Sequence, residues 1–389
     1  MIIHTVGVGD TVFNIARKYG VAPQKIIENN ELLNPDRLTV GEKLMIFTPT
    51  RTYTVRGNDT LRDIADRFSV SVDSLKRKNP FLNGGESLYP GQILAIRGAE
   101  PRHGLGIANG YLFKGATAER IALAMPYLTY LTVGNARRKG CGIDRLFDDR
   151  EVVKEARASG VMPHLRIYDD QTEYNNELRK RMIDEALSGG YGGITLASYR
   201  GMKEERERTE EHIARLREMA NENGLRVFMD IDGNADTAHS DVADGYIIFY
   251  GKCHLPEMPT FENGEMRLFE QYADTGCAPK TFIDTSATAY AKDEALSKNE
   301  AIRLARGAGR EIDYDDALKI SSFEYNRYLG GKREGVRVAY EPPENIKAKL
   351  DLVRELGYMG ISFDIMHIPT EYLLMLEELF SHPDCHPDM

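Results

Sequence analysis

The chain has 389 residues, 42% of them hydrophobic, a formal charge of −10 from 60 acidic and 50 basic side chains, and no tryptophan. That length supplies ample core, no apolar run approaches the roughly 18 residues needed to span a bilayer, and the acidic excess argues against a nucleic-acid binder. Cys141, Cys253, Cys277 and Cys385 form no CxxC or Cys/His ligand pair, so free thiols are expected, with no metal site and no cofactor.

The first hundred residues contain one unit twice. Ile2-Ile3-His4-Thr5-Val6 is β-forming and stops at Gly7 and Gly9; Arg51-Thr52-Tyr53-Thr54-Val55 does the same before Gly57. Matching segments follow, Gly9-Asp10-Thr11-Val12-Phe13-Asn14-Ile15-Ala16 and Asn58-Asp59-Thr60-Leu61-Arg62-Asp63-Ile64-Ala65. Asp10 and Asp59 stand where helix caps are expected, ahead of stripes Val12/Ile15/Ala16/Tyr19 and Leu61/Ile64/Ala65/Phe68 at i, i+3, i+4, i+7. Second helices are expected from Pro23 to Asn29 and from Val72 to Asn79. Lys43-Leu44-Met45-Ile46 and Gln92-Ile93-Leu94-Ala95-Ile96 then close each unit as strands, in the order β-α-α-β. A repeat of roughly 50 residues used in series points to a repetitive polymer as ligand.

In both copies these residues resemble the LysM module over nearly its full length. The resemblance implies binding of N-acetylglucosamine-containing glycans, peptidoglycan or chitin, in a shallow groove. Its walls would be Gly9, Asp10, Thr11, Val12, Asn34 and Pro35 in the first copy, and Asn58, Asp59, Thr60, Leu61, Pro80 and Phe81 in the second. Residues 1–48 and 51–97 are the expected modules. No basic and apolar leader is evident at Met1, so a place at the cell envelope or spore surface implies either a removed leader or delivery by a mother cell coating a spore.

A polar linker over 98–103 leads to a second unit over 104–383. Short β-rich runs alternate with helical patterns: Gly106-Ile107-Ala108, Tyr127 to Val133, His164 to Tyr168, Gly193 to Leu196, Arg226 to Met229, Gly245 to Tyr250, Lys280 to Ile283, and Gly360 to Phe363. Eight such strands in about 280 residues predict an α/β fold, a TIM-type (β/α)8 barrel. A doubly wound open sheet is the alternative, but no Gly-rich dinucleotide turn follows the first strand.

The second unit resembles glycoside hydrolase family 18, in particular bacterial spore-associated enzymes with two LysM modules ahead of the barrel. Pro126 to Leu131, Gly190-Tyr191-Gly192-Gly193-Ile194, Asp244 to Tyr250, and the tail from Ile346 to Phe380 carry the likeness. That family's strand-four pattern, Asp-Gly-x-x-x-Asp-x-Glu, is degenerate here, because Gly192, Ala197 and Tyr199 occupy the three carboxylate positions. The missing glutamate would protonate the glycosidic oxygen, help worth roughly 10²–10⁴-fold in rate, and a tyrosine with a pKa of about 10 is a poor substitute. Tyr250 matches the strand-six tyrosine that holds the sugar's acetamido group, with Gly251 where its acidic neighbour belongs. Asp364 stands near the expected aromatic floor.

The leading expectation is therefore a protein that binds peptidoglycan or another N-acetylglucosamine glycan and whose barrel does not cleave. A glycosidase with relocated acids is the competing reading, since Asp169, Asp170, Asp230, Asp232, Asp284 and Asp364, with His164, His254 and His367, fall at or near strand ends. Of these Asp230, Asp232 and Asp364 are the candidate relocated catalytic groups. The third reading is a structural protein that binds spore-coat or envelope proteins. The charged run Lys203 to Glu211 reads as a solvated helix face.

Overall fold

A computed structural model describes residues 1–82, 88–97, 103–105, 107–169, 171, 173–197, 203–232, 241–249, 269–270, 273–274, 276–286, 289–291, 294–330 and 332–381. The N-terminal units are built alike. Strands β1 (Ile2–Thr5) and β2 (Lys43–Ile46) pair antiparallel around helices α1 (Val12–Tyr19) and α2 (Pro23–Asn29). Strands β3 (Arg51–Thr54) and β4 (Ile93–Arg97) do so around α3 (Leu61–Phe68) and α4 (Val72–Lys78). The expected stripes face inward, with Val12, Ile15 and Ala16 buried in one core and Leu61, Ile64 and Ala65 in the other. Asn30 and Asn79 perform the same task in each unit. Each side-chain amide donates to a carbonyl of its own helix and to a carbonyl of the closing strand, at Met45 or Ala95, while its oxygen accepts the N–H of that same strand residue.

The capping residues differ from those expected. Thr11 Oγ1 accepts from Asn14 N, and Thr60 forms a full capping box with Asp63. A cap must reach the N–H of the third helical residue, and the helices begin at Val12 and Leu61, so the residue directly before each start is the one placed to do it.

A lead-in strand β5 (His103–Leu105) precedes the barrel. Its eight parallel strands are β6 (Ala108–Leu112), β7 (Tyr130–Lys139), β9 (Met162–Tyr168), β10 (Gly193–Leu196), β11 (Arg226–Asp232), β12 (Gly245–Phe249), β13 (Thr281–Asp284) and β19 (Gly360–Asp364). β19 pairs with β6 and β6 with β7, which closes the sheet and excludes the doubly wound alternative. A short strand β8 (Gly142–Arg145) folds back on β7 as a hairpin. Helices α5 (Ala118–Ala124), α6 (Arg150–Ala158), α7 (Asn176–Ser188) and α8 (Lys203–Asn221) cover the outside of the first half. Inside, Tyr111, Tyr130, Phe228, Ile247 and Phe282 form one packed layer. Gly193 is required there, because a Cβ would lie 2.4 Å from the ring of His164.

Every expected barrel strand is present, the first shifted from Gly106-Ile107-Ala108 to Ala108–Leu112. A separate sheet between β13 and β19 is additional. Strands β14 (Ala289–Ala291), β15 (Glu294–Leu296), β16 (Asp313–Asp315), β17 (Ile320–Leu329) and β18 (Lys332–Tyr340) form it, in the order β15-β14-β18-β17-β16, with α9 (Lys298–Gly307) packed on one face. Helices α10 (Pro343–Glu355) and α11 (Thr370–Leu379) complete the barrel, and a two-residue strand β20 (Phe380–Ser381) pairs with β5. No helix among the described residues is long and apolar enough to cross a membrane.

All ten residues of α11 are buried, three glutamates included. Arg77 Nε of the second module lies 2.7 Å from Glu377 Oε2, and Lys78 pairs with the other oxygen. Removing one partner of such a buried pair strands the opposite charge, at about 3–5 kcal/mol. Glu377→Gln is expected to lower the melting temperature of the whole chain in a single transition, whereas separate melting of the modules with an unchanged barrel transition would contradict this account.

Candidate functional site

Two regions carry the residues singled out in the sequence. In the first module the turn before α1 is held by Asp10, whose Oδ2 accepts from Gly7 N at 2.8 Å and contacts His4 Nε2 at 2.9 Å. In the second, Asp59 Oδ2 accepts from Arg56 N at 2.8 Å and from Tyr53 Oη at 2.7 Å. The two carboxylates thus brace equivalent turns through equivalent contacts. The backbone N–H bonds, and then His4 or Tyr53, hold both pKa values below the usual carboxylate range. Gly9 and Asn58 sit at the same turn position with φ of 85° and 72°. Asparagine is among the few side-chain-bearing residues that tolerate this left-handed conformation.

Of the groove walls, Gly9, Thr11, Asn34, Asn58 and Thr60 are exposed, and Asp10, Pro35 and Asp59 are half-buried. Val12 and Leu61 turn their side chains into the module cores, and Pro80 is also buried. The first helical residue of an amphipathic helix serves the core stripe before it can serve a surface, so their side chains are spent on packing. Phe81 is half-buried, with Lys25 Nζ of the first module 3.3 Å from its ring centroid. The modules therefore touch at Phe81.

The other region is the C-terminal mouth of the barrel. Asp230, at the inner face of β11, is fully buried and both its oxygens are engaged. Tyr111 Oη donates to one at 2.8 Å and Arg166 Nε to the other at 2.6 Å. Burial raises its pKa, opposed by Arg166 and Tyr111. The Arg166 guanidinium is stacked among Tyr111, Phe113 and Tyr168, at 4.4 Å from the Tyr168 centroid. Asp230 is thus the counter-ion of a buried arginine. Asp169 likewise pairs with Arg138 at 3.0 Å.

Ala197 follows β10 at the mouth. Gly192 lies at the opposite end of that strand, where a Cβ would fall 2.8 Å from Met162 Cγ, so a carboxylate there would displace Met162. His164 is a core histidine. It packs against Tyr130 and Phe228, lies 3.3 Å from Thr195 Oγ1 through Nδ1, and burial lowers its pKa to about 3. Tyr199, Tyr250, Asp170 and His254 lie outside the described residues, as does the side chain of Asp232.

Asp284 and Asp364 end the adjacent strands β13 and β19. Ser286 links them: its Oγ donates to Asp284 Oδ1 at 2.6 Å and accepts Asp364 N at 3.0 Å. His367 Nδ1 lies 2.9 Å from Asp364 Oδ2. Asp284 is surrounded by protein, although part of its surface still reaches solvent. Burial pushes its carboxyl up to about 6, against the Ser286 hydrogen bonds, and the charge of Asp364 pushes the same way. Sequence reasoning placed Asp284 among the strand-end acids without distinguishing it. Only the fold reveals which acids have cationic partners.

Fold and site define a closed (β/α)8 barrel preceded by two small β-α-α-β modules. Residues 4–47 and 53–97 each match the LysM domain family. The chain is 24% identical to the cortical fragment-lytic enzyme of Bacillus subtilis, over 97% of this chain and 98% of that one. It is 37% identical to the cell wall-binding protein YocH of the same organism over 98 residues, a match spanning about a third of YocH's length. The crystal structure of the spore cortex-lytic enzyme SleL from Bacillus megaterium superposes with a TM-score of 0.75 at 19% identity, covering 98% of both chains. The chain thus carries tandem LysM domains on a barrel with the fold of SleL.

The elevated pKa of Asp284 gives a pH signature. An aspartate titrates near 3.9 when unfolded, so the native state retains this proton as the unfolded chain loses it. Its cost to stability is absent below pH 4, grows as the pH rises toward about 6, and is full above that. Asp284→Asn is expected to be more stable than the parent at pH 7.5 and equal to it at pH 4. Urea denaturation at both pH values measures this, and an equal difference at both would overturn the assignment.

Proposed function

We propose that this chain is a cell-wall glycan-binding protein. Its LysM pair holds peptidoglycan or a related N-acetylglucosamine polymer, and its barrel does not cleave that polymer. The carrying observation is the β10 strand, where Gly192 and Ala197 replace two carboxylates of the glycosidase pattern and no described side chain of the strand supplies an acid. Asp230, the nearest buried alternative, has both oxygens committed to Tyr111 and Arg166. A general acid must present its carboxyl to the substrate, and Asp230 is fully buried with both oxygens turned to Tyr111 and Arg166 instead.

The relatives' roles, cell-wall binding and spore cortex lysis, support a place at the cell envelope or the spore. The exposed turn residues of both modules are the proposed contacts, with the barrel mouth as a second sugar surface.

A second reading has one observation in its favour. Asp284 is a carboxyl with a pKa of about 6 at the barrel mouth, the value an acid catalyst needs near neutral pH. In this reading Asp284 protonates the leaving oxygen and the chain is a hydrolase with a relocated acid.

Sedimentation with purified peptidoglycan, paired with analysis of released sugars, separates the two. The parent chain is expected to pellet with the polymer and release nothing. Asp10→Ala with Asp59→Ala, which unlocks both turns, should weaken pelleting by about tenfold, a loss of roughly 1.4 kcal/mol. Sugar release by the parent that Asp284→Asn abolishes would instead establish the hydrolase.

A further inference from the structure

The first module does not stand clear of the barrel. Its loop over 32–42 faces α9 of the inserted sheet across a cleft of about 350 Å³, lined by Asn34, Arg37 and Glu42 from the module and by Ile302, Arg303 and Arg306 from the helix. A volume of this order suits a sugar-sized or smaller substituent. Its charge is lopsided, with three guanidinium groups around one carboxylate. Glu42 is buried and takes up one of them: its Oε2 accepts from Thr39 N and lies 3.8 Å from Arg306, whose Nε also donates to Thr39 Oγ1 at 3.3 Å. Arg37 and Arg303 are exposed, and neither forms an ion pair among the described residues. The acid closest in sequence to Arg303, Glu300, caps α9 through Ser297, whose hydrogen bonds lower its pKa, with a smaller contribution from the charge of Arg303.

Asn34 belongs both to this cleft and to the glycan groove expected for the first module. A polymer lying in that groove would carry its substituents past Arg37 and Arg303. Arg37 and Arg303 line the same cleft, and guanidinium groups recognise carboxylates with charge-assisted, bidentate hydrogen bonds.

We propose that the cleft between the first module and α9 is a carboxylate-binding site, which makes the module select a glycan bearing acidic substituents over a neutral one. The proposal rests on the glycan-binding reading above and narrows it to acid-bearing peptidoglycan in preference to chitin. The carboxylate comes either from the lactyl ether of the muramyl sugar or from the peptide attached to it. Neither source exists on an N-acetylglucosamine homopolymer.

The test is calorimetric binding of three tetrasaccharides to the full chain: an N-acetylglucosamine tetramer, the alternating muramyl tetramer with free lactyl carboxyls, and the same tetramer carrying stem peptides. The acid-bearing oligomers are expected to bind about tenfold more tightly than the neutral one, a difference of roughly 1.4 kcal/mol, and the advantage should shrink as salt is raised. Preference beginning with the second ligand assigns the lactyl carboxyl, and preference only for the third assigns the peptide. Arg37→Gln with Arg303→Gln should abolish the preference while leaving neutral-tetramer affinity and melting temperature unchanged, and Arg303→Lys should retain part of it. Equal affinity for all three, or a preference that survives the double variant, overturns the cleft proposal alone. Binding of none of them overturns the glycan-binding reading and the cleft proposal with it.

Discussion

The burial of helix α11 organises the molecule. A helix wholly enclosed by protein while carrying Glu371, Glu377 and Glu378 is stable only if its charges are met, because an unpaired buried carboxylate costs several kcal/mol. The cations come from distant parts of the chain: Arg77 and Lys78 from the second module meet Glu377, Lys298 from the start of α9 meets Glu371, and the Met1 ammonium of the first module meets Glu378. The barrel's last helix therefore reaches its native environment only when the module and the inserted sheet are docked. Tyr127 at the barrel wall adds a neutral tie, donating its hydroxyl to the carbonyl of Arg77.

The first module is fixed by a different kind of contact. Gly41 approaches the inserted sheet so closely that a Cβ would fall 1.8 Å from the carbonyl oxygen of Ile312, and Ile312 N donates to Val40 O at 2.9 Å. Lys43 then pairs with Glu344 at 3.0 Å and lies 4.0 Å from the Tyr314 ring centroid, while Arg120 reaches Glu31 at 3.1 Å. Two weak sites on a flexible tether gain from effective concentration whatever the shape of the ligand. Two sites on fixed supports gain only when the spacing of the polymer matches theirs. Docking thus fixes the spacing of the two modules, and it is also what gives the cleft at α9 two fixed walls.

The fold was largely legible because it repeats simple patterns. Period-3.6 stripes beginning at Val12 and Leu61 announced paired helices, and eight β-rich runs announced a barrel. The inserted sheet was not legible, since a tally of eight strands was complete without it. In β17, Phe323 is buried and Tyr325 half-buried among polar neighbours, which reads as an ordinary surface hairpin. The helix caps were misread by one residue, because Asp and Thr are both good caps and only the start of the helix chooses between them. The candidate sites were legible as residue types but not as roles. Asp230 and Asp284 look alike in sequence, and what separates them is Arg166, 64 residues before Asp230 and brought beside it by the barrel.

That separation shows how the barrel handles a buried charge. Arg166 is a cation that cannot shed its proton. Its solution here is internal: Asp230 takes the charge, Tyr111 takes the second oxygen, and the faces of Phe113 and Tyr168 flank the guanidinium. The assembly is neutral, enclosed and satisfied, which is the arrangement of a structural core. Proton-transfer chemistry needs a carboxyl less firmly held, with a pKa near the working pH and no cation in contact. Asp284 alone among the described strand-end acids meets that description, through burial beside Asp364 rather than through pairing with a base. If the barrel retains chemistry, it has moved three strands around the sheet from β10 to β13. If it does not, Asp284 is a carboxyl kept partly protonated at the cost of stability above pH 6, and a neutral asparagine would fit there better.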